Sequence, residues 1–336
     1  MSINLRFRWN SYSTHVYTTK IFQVRLLECF QLTHQDQISE VKKILITGAS
    51  GLLGANLARH YAPRSECTGW YASSPIAIEG ATIKRIDITD HESVSTTLTR
   101  LQPEIIVHCA AATDVEWCER NPELAKAVNE DATAFLATKA AELESKFVFT
   151  STDSVFDGLK KNYSESDELG PLNAYAAGKV RTESLVTRAN SNSLIIRSYF
   201  YGHSPSGTRS LLEWVLIRAL SGNKVPGFTD SYFSPISVHD FADALDAATT
   251  ADTSGFLHLG SSDRISKYEF ARMVMEVYDC DMSLLQPITV DEVGLKAARP
   301  RDTSLNTSLL ENILGKPVPG VEDGIKRIAG ESNPFH

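Results

Sequence analysis

Tyr175 and Lys179 stand four residues apart in a stretch, Ala174 to about Ala189, whose pattern is helical, so both side chains project from one helix face. A tyrosine with its ordinary pKa of about 10 is a poor acid–base group at neutral pH. A nearby ammonium favours the phenolate, so Lys179 is expected to lower the pKa of Tyr175. The tyrosine can then exchange a proton with a carbonyl or hydroxyl while a second agent exchanges hydride. Tyr-x-x-x-Lys is common by chance, and a solvated helix face is the bland alternative. The pair gains weight from Ser151-Thr152-Asp153, which follows an apolar strand at Phe147 to Thr150. A hydroxyl at that strand end can hydrogen-bond a substrate oxygen.

A second motif supplies the other half of such a reaction. Gly48-Ala49-Ser50-Gly51-Leu52-Leu53-Gly54 follows a short apolar strand, Lys43 to Thr47, and opens a helix that runs to about Tyr61. Gly48 permits the tight turn, Gly51 lets backbone N–H groups approach a pyrophosphate, and Gly54 allows close helix–sheet packing. The loop from Gly48 through Ser50, Leu52 and Leu53 to Gly54 is therefore a dinucleotide cradle at a helix N-terminus. The glycine spacing is that of short-chain dehydrogenases/reductases. An acid at the end of the second strand would bind the ribose 2′-hydroxyl of NAD. Here that stretch is Tyr71-Ala72-Ser73-Ser74. The expected cofactor is NADP or NAD, with NADP weakly favoured, and Arg64 and Arg85 are the candidates for a 2′-phosphate.

These residues need a scaffold, and the chain has one in its rhythm. From Val41, short apolar strands alternate with helical segments: Glu66 to Ala72, Thr82 to Asp87, Ile105 to Cys109, Phe147 to Thr150 and Leu194 to Arg197 read as strands. Asp90 can cap a helix that stops before Pro103, and Asn121-Pro122-Glu123 can start one that runs to about Leu143. Such alternation predicts an α/β fold, a doubly wound parallel (Rossmann) sheet covered on both faces. After Arg197 the rhythm weakens, although Leu211 to Leu220 and His239 to Thr249 look helical and Phe256 to Leu259 strand-like. The expected division is an extension at 1–40 outside the fold and a cofactor domain at 41–197 joined by returning segments near 236–260. A smaller, discontinuous C-terminal substrate lobe takes 198–235 and 261–330.

Composition narrows the function classes. The 336 residues are 42% hydrophobic and 22% charged, in the range of a globular protein with a core. The formal net charge of −8 argues against a nucleic-acid or anionic-membrane partner. Five cysteines, an odd number with no C-x-x-C pair, suggest neither a disulfide framework nor a zinc site, and no metal cluster is expected. No apolar run reaches the roughly 20 residues that span a bilayer. A cytoplasmic location fits these features.

From Lys43 to about Gly330 the chain resembles an extended short-chain dehydrogenase/reductase, and within that group it is similar to dTDP-4-dehydrorhamnose reductases. The stretches that carry the resemblance are His108-Cys109-Ala110-Ala111-Ala112-Thr113-Asp114, Asn121-Pro122-Glu123-Leu124-Ala125 through Val128-Asn129, and Ser151-Thr152-Asp153-Ser154-Val155-Phe156-Asp157-Gly158. Pro171-Leu172-Asn173-Ala174-Tyr175 and Arg299-Pro300-Arg301-Asp302-Thr303-Ser304-Leu305 complete the set. The resemblance implies Thr152, Tyr175 and Lys179 as the catalytic triad and Asn129 as the structural and proton-relay asparagine. It puts Ala110, Ala111 and Ala112 under the cofactor ribose and Asp87, with Ile88 beside it, at the adenine. Thr113, Asp153, Ser154, Tyr199 and Arg299 are the candidate substrate contacts. The implied activity is NAD(P)H-dependent reduction of a keto group on a nucleotide-diphosphate sugar, of the dTDP-4-keto-deoxy type.

Two departures matter. The resembling reductases read S-T-D-Y-V-F where this chain has Ser154, and R-T-S-W-V-Y-G where it has Arg197-Ser198-Tyr199-Phe200-Tyr201-Gly202. Both weigh against a rhamnose-precursor substrate and leave the reaction class in place. Sister readings are epimerase or dehydratase, for which Asp153 beside Thr152 does not decide. A different class of reading is a non-catalytic NADP-binding regulatory subunit resembling methionine adenosyltransferase beta. Arg299 and Arg301 could clamp a diphosphate or be surface charge. His108 reads as a satisfied core histidine, and Trp70, Trp117 and Trp214 as packing residues. The partner expected is a small-molecule sugar nucleotide; oligomeric state stays open, with a homodimer the candidate.

Overall fold

The computed structural model describes residues 42–294 and 297–335, so the extension expected over 1–40 lies outside the described residues. Seven parallel strands form the sheet: β1 (Lys43–Thr47), β2 (Glu66–Tyr71), β3 (Thr82–Arg85), β4 (Ile105–His108), β5 (Lys146–Thr150), β6 (Leu194–Ser198) and a last strand, Gly255–Leu259. Their order across the sheet is Gly255–Leu259, β6, β5, β4, β1, β2, β3. Every pairing is parallel, as in Ile44 opposite Cys67 on one side and Ile105 on the other. This is the Rossmann-like α/β fold. The strand order reverses between β1 and β4, which opens a crevice at the carboxyl ends of the strands.

The apolar runs of these strands serve two cores because side chains alternate between faces. Ile44, Ile46, Val107, Val148 and Ile196 face one core, with Leu57 of helix Leu52–Tyr61 and Phe241 and Leu245 of helix Val238–Thr250. Leu45, Ile106, Phe147, Phe149 and Ile195 face the other, with Val94, Leu98, Leu136 and Val186 from three further helices. Trp70 is fully buried there. A third core belongs to the smaller lobe. It gathers Leu212 and Val215 from helix Leu211–Leu220, Phe270 and Val274 from helix Lys267–Val277, and Val321 and Ile325 from helix Val321–Ala329.

The helix expected from Asn121 to Leu143 is interrupted. Pro122–Lys126 is helical, Ala127–Asp131 forms a π-helical turn, and Ala132–Glu142 resumes the α-helix. The widened turn carries Asn129, and such turns are frequent at functional sites. Helices Lys267–Val277, Ser308–Leu314 and Val321–Ala329 are additional to those expected from the sequence. The first is announced by a capping box, Ser266 with Glu269, in which each side chain accepts from the other's backbone N–H.

Candidate active site

A cleft of about 450 Å³ opens where the sheet reverses its order, and its wall includes Gly48, Gly51, Leu52, Leu53, Gly54, Thr152, Tyr175 and Lys179. The glycine loop and the tyrosine–lysine helix, more than 100 residues apart in sequence, thus face one space.

Gly48 adopts φ +68°, and a Cβ on it would meet the Ala110 backbone at 2.8 Å. A Cβ on Gly54 would sit 2.3 Å from the Gly48 carbonyl oxygen, so the helix can begin this close to the loop only without a side chain. Gly51 is the N-cap of helix Leu52–Tyr61 and offers no side-chain cap. Its own N–H donates to the Gly48 carbonyl at 2.9 Å and closes the turn. The open donors are those of the next residues, Leu52 and Leu53, at the positive end of the helix dipole. An uncapped helix start on a cleft wall fits a dinucleotide pyrophosphate.

Ser50, Ala110, Ala112, Asp87, Ile88 and Asn129 are not in the cleft wall, whereas Cys109, Ala111 and Thr113 are. Asp87 is exposed, and its carboxylate accepts from the N–H and hydroxyl of Thr89 at 3.0 and 2.7 Å, which holds it below the usual carboxylate range. Asp90 separately caps helix His91–Leu101. Ile88 is a core residue. Asn129 uses both ends of its amide on Ala112, accepting from its N–H at 2.8 Å and donating to its carbonyl at 2.9 Å. It thereby fixes the segment from Ala110 to Thr113 against the cleft.

Of the two arginines considered for a 2′-phosphate, Arg64 is engaged by Asp246 at 2.6 Å. Arg85 pairs in register with Tyr71 and donates to the Ala72 carbonyl at 3.0 Å, so its charge lies at the end of β2.

Tyr175, Lys179 and Glu183 descend one face of helix Ala174–Ala189 at successive intervals of four. Lys179 is buried, donates to the Thr150 carbonyl at 2.9 Å and lies 4.6 Å from the Phe149 ring centroid. Burial pulls its pKa down to about 8, with the Glu183 charge opposing. Tyr175 does not follow the expected lowering. Burial of its hydroxyl, first, and the Asp153 charge, second, push its pKa up, while a hydrogen bond with Thr152 pulls the other way. Burial therefore leaves the phenol protonated and poised as a donor.

Thr152 caps the short turn Asp153–Val155, accepting from the Ser154 N–H at 3.2 Å. Asp153 is buried and accepts from three hydroxyls: Thr152 and Ser154 on one oxygen, each at 3.2 Å, and Thr303 on the other at 2.5 Å. Burial raises its pKa. Behind these groups Ser151 donates to Glu183 at 2.5 Å, and Glu183 forms a two-point ion pair with Arg197 at 2.8 and 3.1 Å. His108 is hydrogen-bonded at both ring nitrogens, to Thr47 at 2.7 Å and Thr133 at 2.9 Å, and burial takes its pKa down to about 3, so it is a neutral core residue.

Asp153 and Ser154, after β5, are also in the wall, and the lobe contributes Tyr199, Arg209, Lys267, Arg299 and Thr303. Arg299 makes only long contacts, at 3.6 Å to Glu116 and 3.4 Å to the Ala297 carbonyl, whereas Arg301 is taken by Asp230 and, at 2.6 Å, Asp291, so of the two the first is the more available to a ligand. Lys267, Arg209 and Glu183 were not singled out in the sequence. The capping box at Ser266 is the signal that would have placed Lys267 at a helix start; the others have no local signature.

The profile of the RmlD substrate binding domain matches residues 42–333. The chain belongs to that family. Among relatives of this RmlD-type chain is a probable low-salt glycan biosynthesis reductase of Haloferax volcanii, 33% identical over 83% of this chain and 95% of its own length. The methionine adenosyltransferase 2 subunit beta of Rattus norvegicus is 28% identical over 87% of this chain and 88% of its own. A solved hypothetical dTDP-4-dehydrorhamnose reductase from Sulfolobus tokodaii superposes with a TM-score of 0.74 at 33% identity, covering 84% of this chain and 98% of that one. The dTDP-4-dehydrorhamnose reductase of Bacillus anthracis in complex with NADP reaches 0.77 at 24% identity, covering 87% and 100%, a likeness of fold. The RmlD-type relatives thus include named reductases, among them dTDP-4-dehydrorhamnose reductase, and methionine adenosyltransferase beta subunits. Among the described residues, no helix is long and apolar enough to cross a membrane.

Proposed function

We propose that this protein is an NADPH-dependent reductase of a keto group on a nucleotide-diphosphate sugar of the dTDP-4-keto-deoxy type. The observation that carries the reading is a cleft that has an uncapped helix start at Leu52, a protonated Tyr175 and Thr152 in one wall. The bound cofactor would supply the hydride that reduces the substrate carbon. Tyr175 gives its proton to the oxygen as negative charge develops there. Thr152 orients that oxygen, and Lys179, fixed on the Thr150 carbonyl, presents its remaining N–H groups to the cofactor ribose. Arg85 at the end of β2 supports NADP over NAD.

The names of similar proteins support the same class: a reductase in Haloferax volcanii and a dTDP-4-dehydrorhamnose reductase in Sinorhizobium fredii, 31% identical over 72% of this chain. The likeness to methionine adenosyltransferase 2 subunit beta favours a second reading, a cofactor-binding partner subunit. Oxidation of NADPH on addition of a dTDP-4-keto-6-deoxy sugar tests the two. Turnover is expected, and tight NADP binding without turnover of any keto sugar nucleotide would favour the second.

A further inference from the structure

Lys267 is one of three cations in the lobe wall of the cleft, with Arg209 and Arg299, that the reaction does not use. It opens helix Lys267–Val277, and its backbone N–H donates to the Ser231 carbonyl at 2.9 Å. Its ammonium lies 4.5 Å from the Tyr199 ring centroid and 4.2 Å from that of Phe233, and these two rings meet edge to face. Two aromatic faces hold a cation in place without supplying a directional hydrogen bond. Among the described residues, Lys267 has no salt bridge or side-chain hydrogen bond.

The neighbouring carboxylate does not change this. Asp153 acts on Lys267 through its charge, but its oxygens are taken by Thr152, Ser154 and Thr303. Arg299, also in the wall, adds a second positive charge. A caged ammonium with three donors therefore faces the cleft beside the Thr152–Asp153 turn, where the sugar rather than the diphosphate must lie if Tyr175 is to reach the carbonyl.

We propose that Lys267 is a specificity-determining residue: it donates a hydrogen bond to a sugar oxygen other than the reacting one, a hydroxyl or a carboxylate. The inference rests on the sugar-nucleotide reading and names the substrate class further: sugars that keep a polar substituent on the side facing the lobe. Tyr199 and Phe233 act as positioning residues for the ammonium.

The test is calorimetry on the NADP-loaded protein, which does not depend on turnover. Wild type and Lys267→Met are titrated with dTDP and with dTDP-glucose. The sugar's increment in affinity should fall about ten-fold in Lys267→Met, the worth of one hydrogen bond to a charged donor, with dTDP affinity unchanged. UDP-glucose against UDP-glucuronate separates the two oxygen sources: a larger loss for the glucuronate marks a carboxylate site, and equal losses mark a hydroxyl site. Retained NADP affinity shows that the variant is folded, and Lys267→Arg should recover part of the increment. Equal sugar increments in wild type and Lys267→Met would overturn the proposal. A wild type that shows the Lys267-dependent increment but oxidises no NADPH would leave it standing and remove the reductase reading instead.

Discussion

The two walls of the cleft are built by different means. The cofactor wall is backbone at the ends of regular elements: a glycine turn after β1, an uncapped helix start, and a segment pinned by Asn129. The lobe wall is side chains from separate excursions of the chain, among them Arg209, Lys267, Arg299 and Thr303. Backbone donors cannot be exchanged one at a time by mutation, so the first wall suits a cofactor. Side chains can, so on the proposed function the second wall is where substrate choice would reside. Tyr175 and Thr152 stand between the two.

That contrast can be broken first at the junction. Tyr175→Phe removes only the hydroxyl and should lower kcat by about 10²–10⁴-fold, with NADP affinity and KM little changed. Steady-state kinetics decide it; a joint loss of cofactor binding would show that the tyrosine belongs to the cofactor wall.

Gly51→Asp attacks the cofactor wall itself. An Asp at this N-cap accepts the first-turn N–H groups, which favours the helix by a few tenths of a kcal/mol relative to Gly. A Cβ there meets the Gly48 carbonyl oxygen at 3.2 Å, a contact that small shifts relieve. The carboxylate occupies the anion site and repels the pyrophosphate. Losing two charge-assisted hydrogen bonds, about 3 kcal/mol, weakens NADP by about a hundred-fold. Fluorescence titration should show this with a melting temperature lowered by no more than a few degrees. Unchanged affinity would remove the cradle assignment.

The pH profile sharpens the contrast less strongly. Lys179 is charged below its pKa of about 8 and neutral above it, whereas burial keeps Tyr175 protonated through that range. The value of kcat/KM for reduction should therefore decline as pH rises through about 8, because the ammonium is lost before the phenol ionises. Lys267 has a similarly lowered pKa of about 8, so Lys267→Met should keep the limb that belongs to Lys179. A profile flat to pH 10 would contradict the role given to Lys179.

The smallest effect is expected at Arg85. It is exposed, so its charge is screened, and Arg85→Ala should reduce the preference for NADPH over NADH only about two- to five-fold. Kinetics with both cofactors measure it, and an unchanged ratio would place the reader of the 2′-phosphate elsewhere.

How much of this was legible in the sequence follows the same division. The strand, glycine turn and helix from Lys43 to Tyr61 form one local unit, and the Tyr175–Lys179 pair needs only helical spacing to share a face. Lys267 was missed because its meaning depends on Tyr199, Phe233 and Asp153, which reach it from three other places in the chain. The Tyr175 pKa was misjudged for a related reason: spacing places an ammonium one turn away but cannot show that the hydroxyl is buried near the Asp153 charge. The π-helical turn at Asn129 has no periodic signature, since the helix on both sides is regular.

The central claim is that hydride reaches a sugar carbon while Tyr175 protonates its oxygen. It is tested most directly with NADPH carrying deuterium at both nicotinamide C4 positions and a dTDP-4-keto-6-deoxy sugar, with the product sugar nucleotide read by mass spectrometry. The account predicts one carbon-bound deuterium in the reduced sugar formed by wild type and almost no such product from Tyr175→Phe. Tight binding of the deuterated cofactor with no label in the sugar, or equal labelling by the two proteins, would contradict it.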